Sequence, residues 1–208
     1  MLSVALLMTE EVAPLQLVTN KACPFGQKAH IALGESGLPF DLKEISLYGP
    51  NGKPDWFMQY NPKGTVPVLV MENTPAITDS AEILDFLARN PASAICSPAE
   101  HGDRIAAFRR LTNGNVKTAG KRVVLGGNAK DKQQLSSTLK EADELVQGPF
   151  VCGERFTVAD ACGFPLLWRL RSERLIPEDC KKLSSWLRAC ETRKCCADTI
   201  QANWWWWW

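Results

Sequence analysis

A cysteine–proline step at the junction of a strand and a helix limits the folds open to this chain. Pro14 to Thr19 is an apolar run that alternates enough to form a short buried strand. Lys21-Ala22-Cys23-Pro24-Phe25-Gly26-Gln27 follows, and then apolar residues recur at Phe25, Ala29, Ala32 and Leu33, the spacing of a helix. Pro24 suits the first helical turn, where its missing N–H is a donor with no intrahelical acceptor in any case. Cys23 is therefore expected at the mouth of the helix, facing unpaired backbone donors and the positive end of the helix dipole. That environment favours the thiolate, the nucleophilic form of the side chain. A second cysteine one turn on would make a dithiol, but that position is Gly26. Whatever Cys23 attacks or carries has to be released by an external thiol.

The rest of the first ninety residues extends this unit. Leu38 to Ile45 reads as a second strand after a helix ended by Gly37, and the strand–helix–strand order makes the two strands parallel. Tyr48 to Gly52 is a turn, and Lys53 to Met58 predicts a short helix packing Trp56 and Phe57 on the sheet. Pro67 opens a third strand running on through Val68-Leu69-Val70, where a missing donor is tolerated only at an edge or a special site. Its peptide bond is open to either isomer from sequence. Asn73-Thr74-Pro75 turns into a fourth strand at Ala76-Ile77, and Asp79 and Ser80 cap a helix through Ile83, Leu84, Phe86 and Leu87.

Pro91 and Pro98 bracket a linker, after which only helical patterns occur: His101 to Val124, Asp131 to Val146, Thr157 to Leu170 and Asp179 to Cys190. Thr157-Val158-Ala159-Asp160 is a capping box with Asp in the Glu position, and Phe156 is placed to staple it. The fold expected is an α/β thioredoxin-like domain at 1–90 (βαβ–α–ββα) with an all-helical domain at 99–203. The pentatryptophan tail at 204–208 has no assigned role.

Composition narrows the function classes. A net charge of +1 over 208 residues gives no electrostatic reason for a nucleic acid or an anionic membrane as partner. Met1 to Met8 is apolar but short and lacks a basic flank, so neither a signal peptide nor a membrane span is expected there. Eight cysteines, at 23, 96, 152, 162, 180, 190, 195 and 196, show no metal-ligand spacing, and only two histidines could assist, so no metal site is predicted. The cysteines read as reduced and intracellular, with Cys195-Cys196 a terminal-helix pair.

A thioredoxin-like half joined to a helical half resembles the glutathione transferase superfamily over nearly the whole chain. Cys23-Pro24-Phe25 is similar to its cysteine-type branch, which holds omega and lambda transferases, dehydroascorbate reductases and chloride intracellular channel proteins. Lys53-Pro54-Asp55-Trp56-Phe57 with Asn61-Pro62, Gly64 and Val66-Pro67-Val68 looks like the omega and dehydroascorbate reductase sequences. Asp79-Ser80, Gly148-Pro149-Phe150-Val151 with Gly153-Glu154, and Ile176-Pro177-Glu178-Asp179 resemble the dehydroascorbate reductases more closely. Gly26 departs from the Ser, Cys or Ala of that pattern.

The resemblance implies glutathione as co-substrate, no tightly bound cofactor, dehydroascorbate as the electrophile and Cys23 as the catalytic thiol. It implies a glutathione site of Phe25, Lys53, Val66, Pro67, Asp79 and Ser80. A cis Val66–Pro67 bond would turn the Val66 peptide groups outward to pair with the cysteinyl part of the ligand like an added strand. The α-carboxylate would meet the helix N-terminus at Ser80, the amine would meet Asp79, and Lys53 would meet the glycyl carboxylate. Gln27 and Lys28 are expected on the helix surface, and His30 is too far from Cys23 to act as its base. Trp168 and Arg169 are either core or the wall of an acceptor pocket. The chain is expected to be a monomer in the cytoplasm, an organellar stroma being the alternative place. Two other functions stay open: an omega-like or lambda-like transferase or deglutathionylase, and a non-catalytic channel-like protein whose membrane contact is Met1–Met8 or Trp204–Trp208.

Overall fold

The computed structural model describes residues 15–49, 52–95, 97 and 99–200. The tail at 204–208 and the segment Met1–Met8, the two membrane contacts expected of a channel-like protein, lie outside these residues. The first half runs β1 (Leu15–Thr19), α1 (Pro24–Ser36), β2 (Phe40–Glu44), α2 (Asp55–Tyr60), β3 (Val68–Val70) and α3 (Ser80–Arg89). The sheet order is β2-β1-β3. β1 pairs with β2 in parallel, Leu17 opposite Leu42, and with β3 antiparallel, Leu17 opposite Leu69.

The expected fourth strand is reduced to one antiparallel bridge between Leu69 and Ile77. Leu69 and Ile77 exchange both backbone hydrogen bonds, at 2.8 and 2.9 Å. The ladder goes no further because Pro75 stands on one side and the Asp79 cap of α3 begins on the other. The short helix is displaced two residues from its predicted place. Its Phe57 is buried, while Trp56 is half-buried beneath the Lys43 ammonium, 3.7 Å from the ring centroid.

The second half is helical: α4 (Gly102–Leu111), α5 (Lys117–Val124), α6 (Ala129–Leu145), α7 (Val158–Ser172), α8 (Lys181–Glu191) and α9 (Lys194–Ala197). The pattern from His101 to Val124 reads as one helix, and it is one, except that Thr112–Val116 widens into a π-helical stretch between α4 and α5. Such stretches insert a residue and turn side chains off the regular faces.

α7 is the spine of this half, and its start is fixed by the predicted capping box. Asp160 Oδ2 accepts from the Thr157 N–H at 2.8 Å and the Thr157 hydroxyl at 3.0 Å. Oδ1 accepts from the Val151 N–H at 2.8 Å and from Trp186 Nε1 at 2.7 Å. Asp160 is completely buried, and burial holds its carboxyl above the usual carboxylate range despite these donors. One carboxylate thus ties the preceding loop, the α7 cap and the buried indole of α8 together.

The two halves meet where α1 packs on α7. Leu33, Ala32 and Ile31 from α1 join Phe164, Leu167 and Leu170 from α7 in one continuous core. At the far end of α1, Glu35 is paired with Arg193, whose Nε donates at 2.8 Å. Arg109 of α4 donates to Asp85 at 2.6 Å and to the Ala81 carbonyl at 3.2 Å, anchoring the first turn of α3 from the helical side.

Candidate functional site

Cys23 is the N-cap of α1, with φ −74° and ψ 121°, and Pro24 stands at the first helical position as the sequence predicts. The proline itself holds the preceding residue in this extended region. Its side chain makes no capping hydrogen bond, and the thiol is half-buried and free. The approach to it is shaped by Asn20, which sequence reading passed over. Asn20 Oδ1 accepts from the Ala22 N–H at 3.0 Å, its Nδ2 donates to the Ile45 carbonyl at 2.9 Å, and its carbonyl accepts from the Cys23 N–H at 3.0 Å. An Asn directly after a strand and four residues before Pro is the turn former that could have been read.

Gly26 is explained by a close approach of helix to strand. A Cβ at this position would lie 2.1 Å from Thr19 Oγ1 and 3.0 Å from the Asn20 carbonyl oxygen. The buried Thr19 hydroxyl occupies the space that a Ser, Cys or Ala side chain would need. The missing second thiol is thus a packing consequence.

On the sheet side, Cys23 packs against a small cluster of Val18, Ile45, Phe57, Val66 and Val68. The Val66–Pro67 peptide bond is cis. Among the described residues the Val66 N–H and C=O make no hydrogen bond, so one residue beside the thiol keeps a backbone donor and a backbone acceptor for a ligand. Asp79 caps α3, its Oδ1 accepting from Ala81 N at 2.7 Å and Glu82 N at 3.3 Å, and Ser80 follows as the first helical residue, half-buried. Both capping bonds fall on one oxygen of an exposed carboxylate. Lys53 is exposed, with φ 51°, and its side chain lies along Gly64, where a Cβ would come within 3.1 Å of its Cδ.

On the helical side the expectation for Gln27 and Lys28 is overturned. Both are buried, 3% and 1% exposed, because α1 is covered by α7 and by the π-helical stretch on the face where they stand. Lys28 Nζ donates to Asn113 Oδ1, and its ammonium lies 5.1 Å from the Phe25 ring centroid. Lys117 stands 5.5 Å from the same ring. Phe25, half-buried, is thus flanked by two cations on the helical side of the thiol. Cys162 of α7 donates to the same Asn113 oxygen at 3.5 Å. Burial pushes the Lys28 ammonium below its ordinary range; the sulfur atoms of Cys162 and Cys23 oppose that shift, and Lys117 and Arg109 add to it. The sequence held one clue: Lys28 is the single charged side chain between Lys21 and Glu35. A helix so poor in charge is covered nearly all round.

Arg169 is buried as well, whereas Trp168 is half-buried and donates from Nε1 to Glu191 at 3.0 Å. His30 is packed edge-on against Phe40, ring centroids 6.1 Å apart, and takes no part in the thiol's surroundings. Among the described residues no group of His, Cys, Asp and Glu is arranged to hold a metal ion. No helix among them is long and apolar enough to cross a membrane.

Comparison with known proteins bears on the fold. Residues 22–90 match the family model of the glutathione S-transferase N-terminal domain. The chain is 28% identical over 151 residues to probable glutathione S-transferase DHAR2, chloroplastic, of Oryza sativa subsp. japonica, covering 71% of this chain and 52% of that protein. It is 27% identical over 183 residues to probable glutathione S-transferase DHAR1, cytosolic, of the same organism, covering 83% and 81%. The first of these matches thus spans about half of the relative's length. Glutathione transferase Omega 3C from Trametes versicolor superposes with a TM-score of 0.77 at 22% identity, over 91% of this chain and 90% of that one. The chain therefore has the glutathione transferase fold, with a glutathione S-transferase N-terminal domain at residues 22–90.

Proposed function

We propose that the protein is a glutathione-dependent thiol oxidoreductase acting through Cys23 alone, with dehydroascorbate as the substrate reduced. The observation that carries this reading is the pairing of one free thiol at a helix mouth with a residue, Val66, whose backbone N–H and C=O are both unpaired, in the same small cluster. A glutathione cysteinyl unit docked on Val66 would bring its sulfur to Cys23 as an added strand does. The relatives whose names carry DHAR support the choice of dehydroascorbate.

In this reading the Cys23 thiolate adds to a carbonyl carbon of dehydroascorbate, and the carbonyl oxygen takes up a proton. A bound glutathione thiolate then attacks the Cys23 sulfur. The carbon–sulfur bond breaks, its electron pair leaves with ascorbate as the enediolate, and a Cys23–glutathione disulfide forms. A second glutathione thiolate attacks that disulfide, releasing glutathione disulfide and restoring the Cys23 thiolate. Two glutathione molecules are oxidised and one dehydroascorbate is reduced. Gly26 leaves no thiol within the helix to intercept the mixed disulfide, so the second glutathione is obligatory.

Asp79 and Ser80 are proposed to take the amino acid head of glutathione at the start of α3, and Lys53 its glycyl carboxylate, with Pro67 and Phe25 as walls. The test is Cys23→Ser assayed with dehydroascorbate and glutathione. Ping-pong kinetics in the parent and loss of the reaction in the variant are expected. A variant keeping more than about a tenth of the rate, a barrier change below about 1.4 kcal/mol, would show that Cys23 is not the nucleophile. A parallel assay with a glutathionylated model substrate separates this reading from that of a deglutathionylase, which would turn over the adduct faster than dehydroascorbate.

A further inference from the structure

The two carbonyls that precede Cys23 are held from behind by side chains. Arg169 of α7 sends one terminal nitrogen to the Ala22 carbonyl at 3.0 Å. Its other terminal nitrogen donates to Gln27 Oε1 and to the Pro165 carbonyl, both at 2.7 Å. Gln27 Nε2 donates to the Lys21 carbonyl at 2.8 Å and to the Thr199 carbonyl at 2.7 Å. Among the described residues no backbone N–H reaches the Lys21 or the Ala22 carbonyl. The Ala22–Cys23 peptide plane is therefore held at its N–H by the Asn20 carbonyl, at 3.0 Å, and at its C=O by a guanidinium 147 residues away in sequence.

We propose that Arg169 is a positioning residue for Cys23, fixing the Ala22–Cys23 peptide directly and the Lys21 carbonyl through Gln27, and so setting the direction and reactivity of the thiol. The inference rests on Cys23 being the reactive thiol of the proposed function. Pro24 restrains Cys23 from its C-terminal side through covalent geometry. On the N-terminal side the Asn20 carbonyl holds the Cys23 N–H, and Arg169 completes the restraint by holding the C=O of the same peptide. With both in place the Cα–Cβ bond of Cys23 has one direction, as a nucleophile aimed at a bound partner requires.

Packing alone does not call for a cation here. Arg169 is 1% exposed and its Nε is buried without a hydrogen-bond partner. Burial pushes its pKa down to about 10, and the neighbouring Cys23 sulfur opposes that shift. A methionine of similar length fills such a space without leaving a buried donor unpaired. The guanidinium is explained by what it holds, namely two sites on the loop and helix that carry the thiol.

The experiment is iodoacetamide alkylation of the full folded chain at neutral pH, followed cysteine by cysteine with peptide mass spectrometry. Arg169→Met is expected to slow alkylation of Cys23 by about tenfold, with Arg169→Lys and Gln27→Met losing less because each keeps part of the network. Cys195, half-buried on α9, is the internal reference and should react at its parent rate in every variant. In the glutathione-dependent assay, kcat should fall while KM for glutathione stays put. If Arg169→Met fails to fold, Arg169→Lys and Gln27→Met decide the matter. Parent-rate alkylation of Cys23 in the folded variants overturns the proposal, as does a change shared by Cys23 and Cys195, which is what local opening would produce. The alkylation readout needs no substrate, so it stands apart from the Cys23→Ser test: activity surviving in Cys23→Ser sinks the nucleophile assignment without touching these rates.

Discussion

The two sides of the α1 N-terminus are built from different materials. Toward the sheet, Cys23 packs on the cluster that holds Val66, whose backbone N–H and C=O are unpaired, and the ligand proposed there would reach on to the Asp79 cap of α3 and the exposed Lys53. Toward the helical half it is backed by buried polar side chains, Gln27, Lys28 and Arg169, each bonded to a distant part of the chain. The open side leaves donors and acceptors for a ligand. The closed side uses them up, and so holds the thiol still. The proposed site, which would exchange small molecules yet aim one sulfur atom, needs both.

The closed side depends on α7, so the largest effect is expected where α7 is set. Asp160→Ala removes the acceptor of four buried hydrogen bonds and strands Trp186 Nε1 and the Val151 and Thr157 N–H groups. Each stranded donor costs about 1–3 kcal/mol, so a loss of at least about 3 kcal/mol is expected in urea unfolding. Asp160→Asn, which keeps an acceptor and avoids the buried charge, should lose clearly less. Equal losses in the two variants would mean that the carboxylate geometry contributes nothing beyond its charge.

The boundary between the two sides is Gly26. Gly26→Ala forces a Cβ against Thr19 Oγ1, and overpacking of this kind costs about 1–3 kcal/mol, offset by about 1 kcal/mol of helix propensity. Thr19→Ala opens the space, so the double variant should recover stability, with a coupling energy of about 1 kcal/mol in the double-mutant cycle. Purely additive effects would show that the contact with Thr19 does not decide the residue at 26. By the same contact, a cysteine introduced at 26 in the parent background should cost stability, where the Thr19→Ala background would accept it.

The open side should be softer. Asp79→Ala loses an N-cap, about 1 kcal/mol of stability, and one carboxylate proposed to face the glutathione amine, which raises the glutathione requirement about tenfold. Alkylation of Cys23 should not change, since the thiol stands on a different helix. A shift in that alkylation with unchanged glutathione dependence would mean that Asp79 acts on the thiol and has no part in ligand binding.

These two sides also differ in how far the sequence discloses them. The open side is made of local signals: Pro24 and Gly37 bound α1, Pro67 opens β3, and Asp79 caps α3, each readable within a few residues. The thioredoxin-like order and the Thr157–Asp160 capping box were legible for the same reason. The closed side is made of pairs 85 to 172 residues apart, such as Lys28 with Asn113 and Gln27 with Thr199. Polarity assigned Gln27 and Lys28 to the surface, because a lone sequence shows what a side chain is and not what covers it. The π-helical stretch that presents Asn113 carries no marker beyond two asparagines and a glycine within a helical pattern. The fourth strand shows the opposite error, in which two apolar residues after a turn promised a strand and supplied one bridge.

The smallest expected effect tests where the closed side ends. His30 lies on α1 two turns from Cys23, half-buried against Phe40. Burial lowers its pKa below the ordinary 6.5, Lys21 adds to that, and Asp198 opposes it. With the folded value below the unfolded one, the unfolded chain binds more protons as pH falls through and below about 6.5. His30 therefore contributes a penalty that is absent at pH 8, grows as the medium is acidified past 6.5, and is complete once the folded form is protonated too. His30→Gln removes the titration and keeps a polar side chain. Between pH 7 and pH 5 the Tm of the variant should fall less than that of the parent, the carboxylates common to both cancelling in the difference. Cys23 alkylation should be the same in both chains, because His30 belongs to neither the Gln27–Arg169 network nor the Val66 side. Parallel Tm-against-pH curves would mean that the imidazole is as well solvated folded as unfolded, and the buried polar layer behind Cys23 would then end at Lys28.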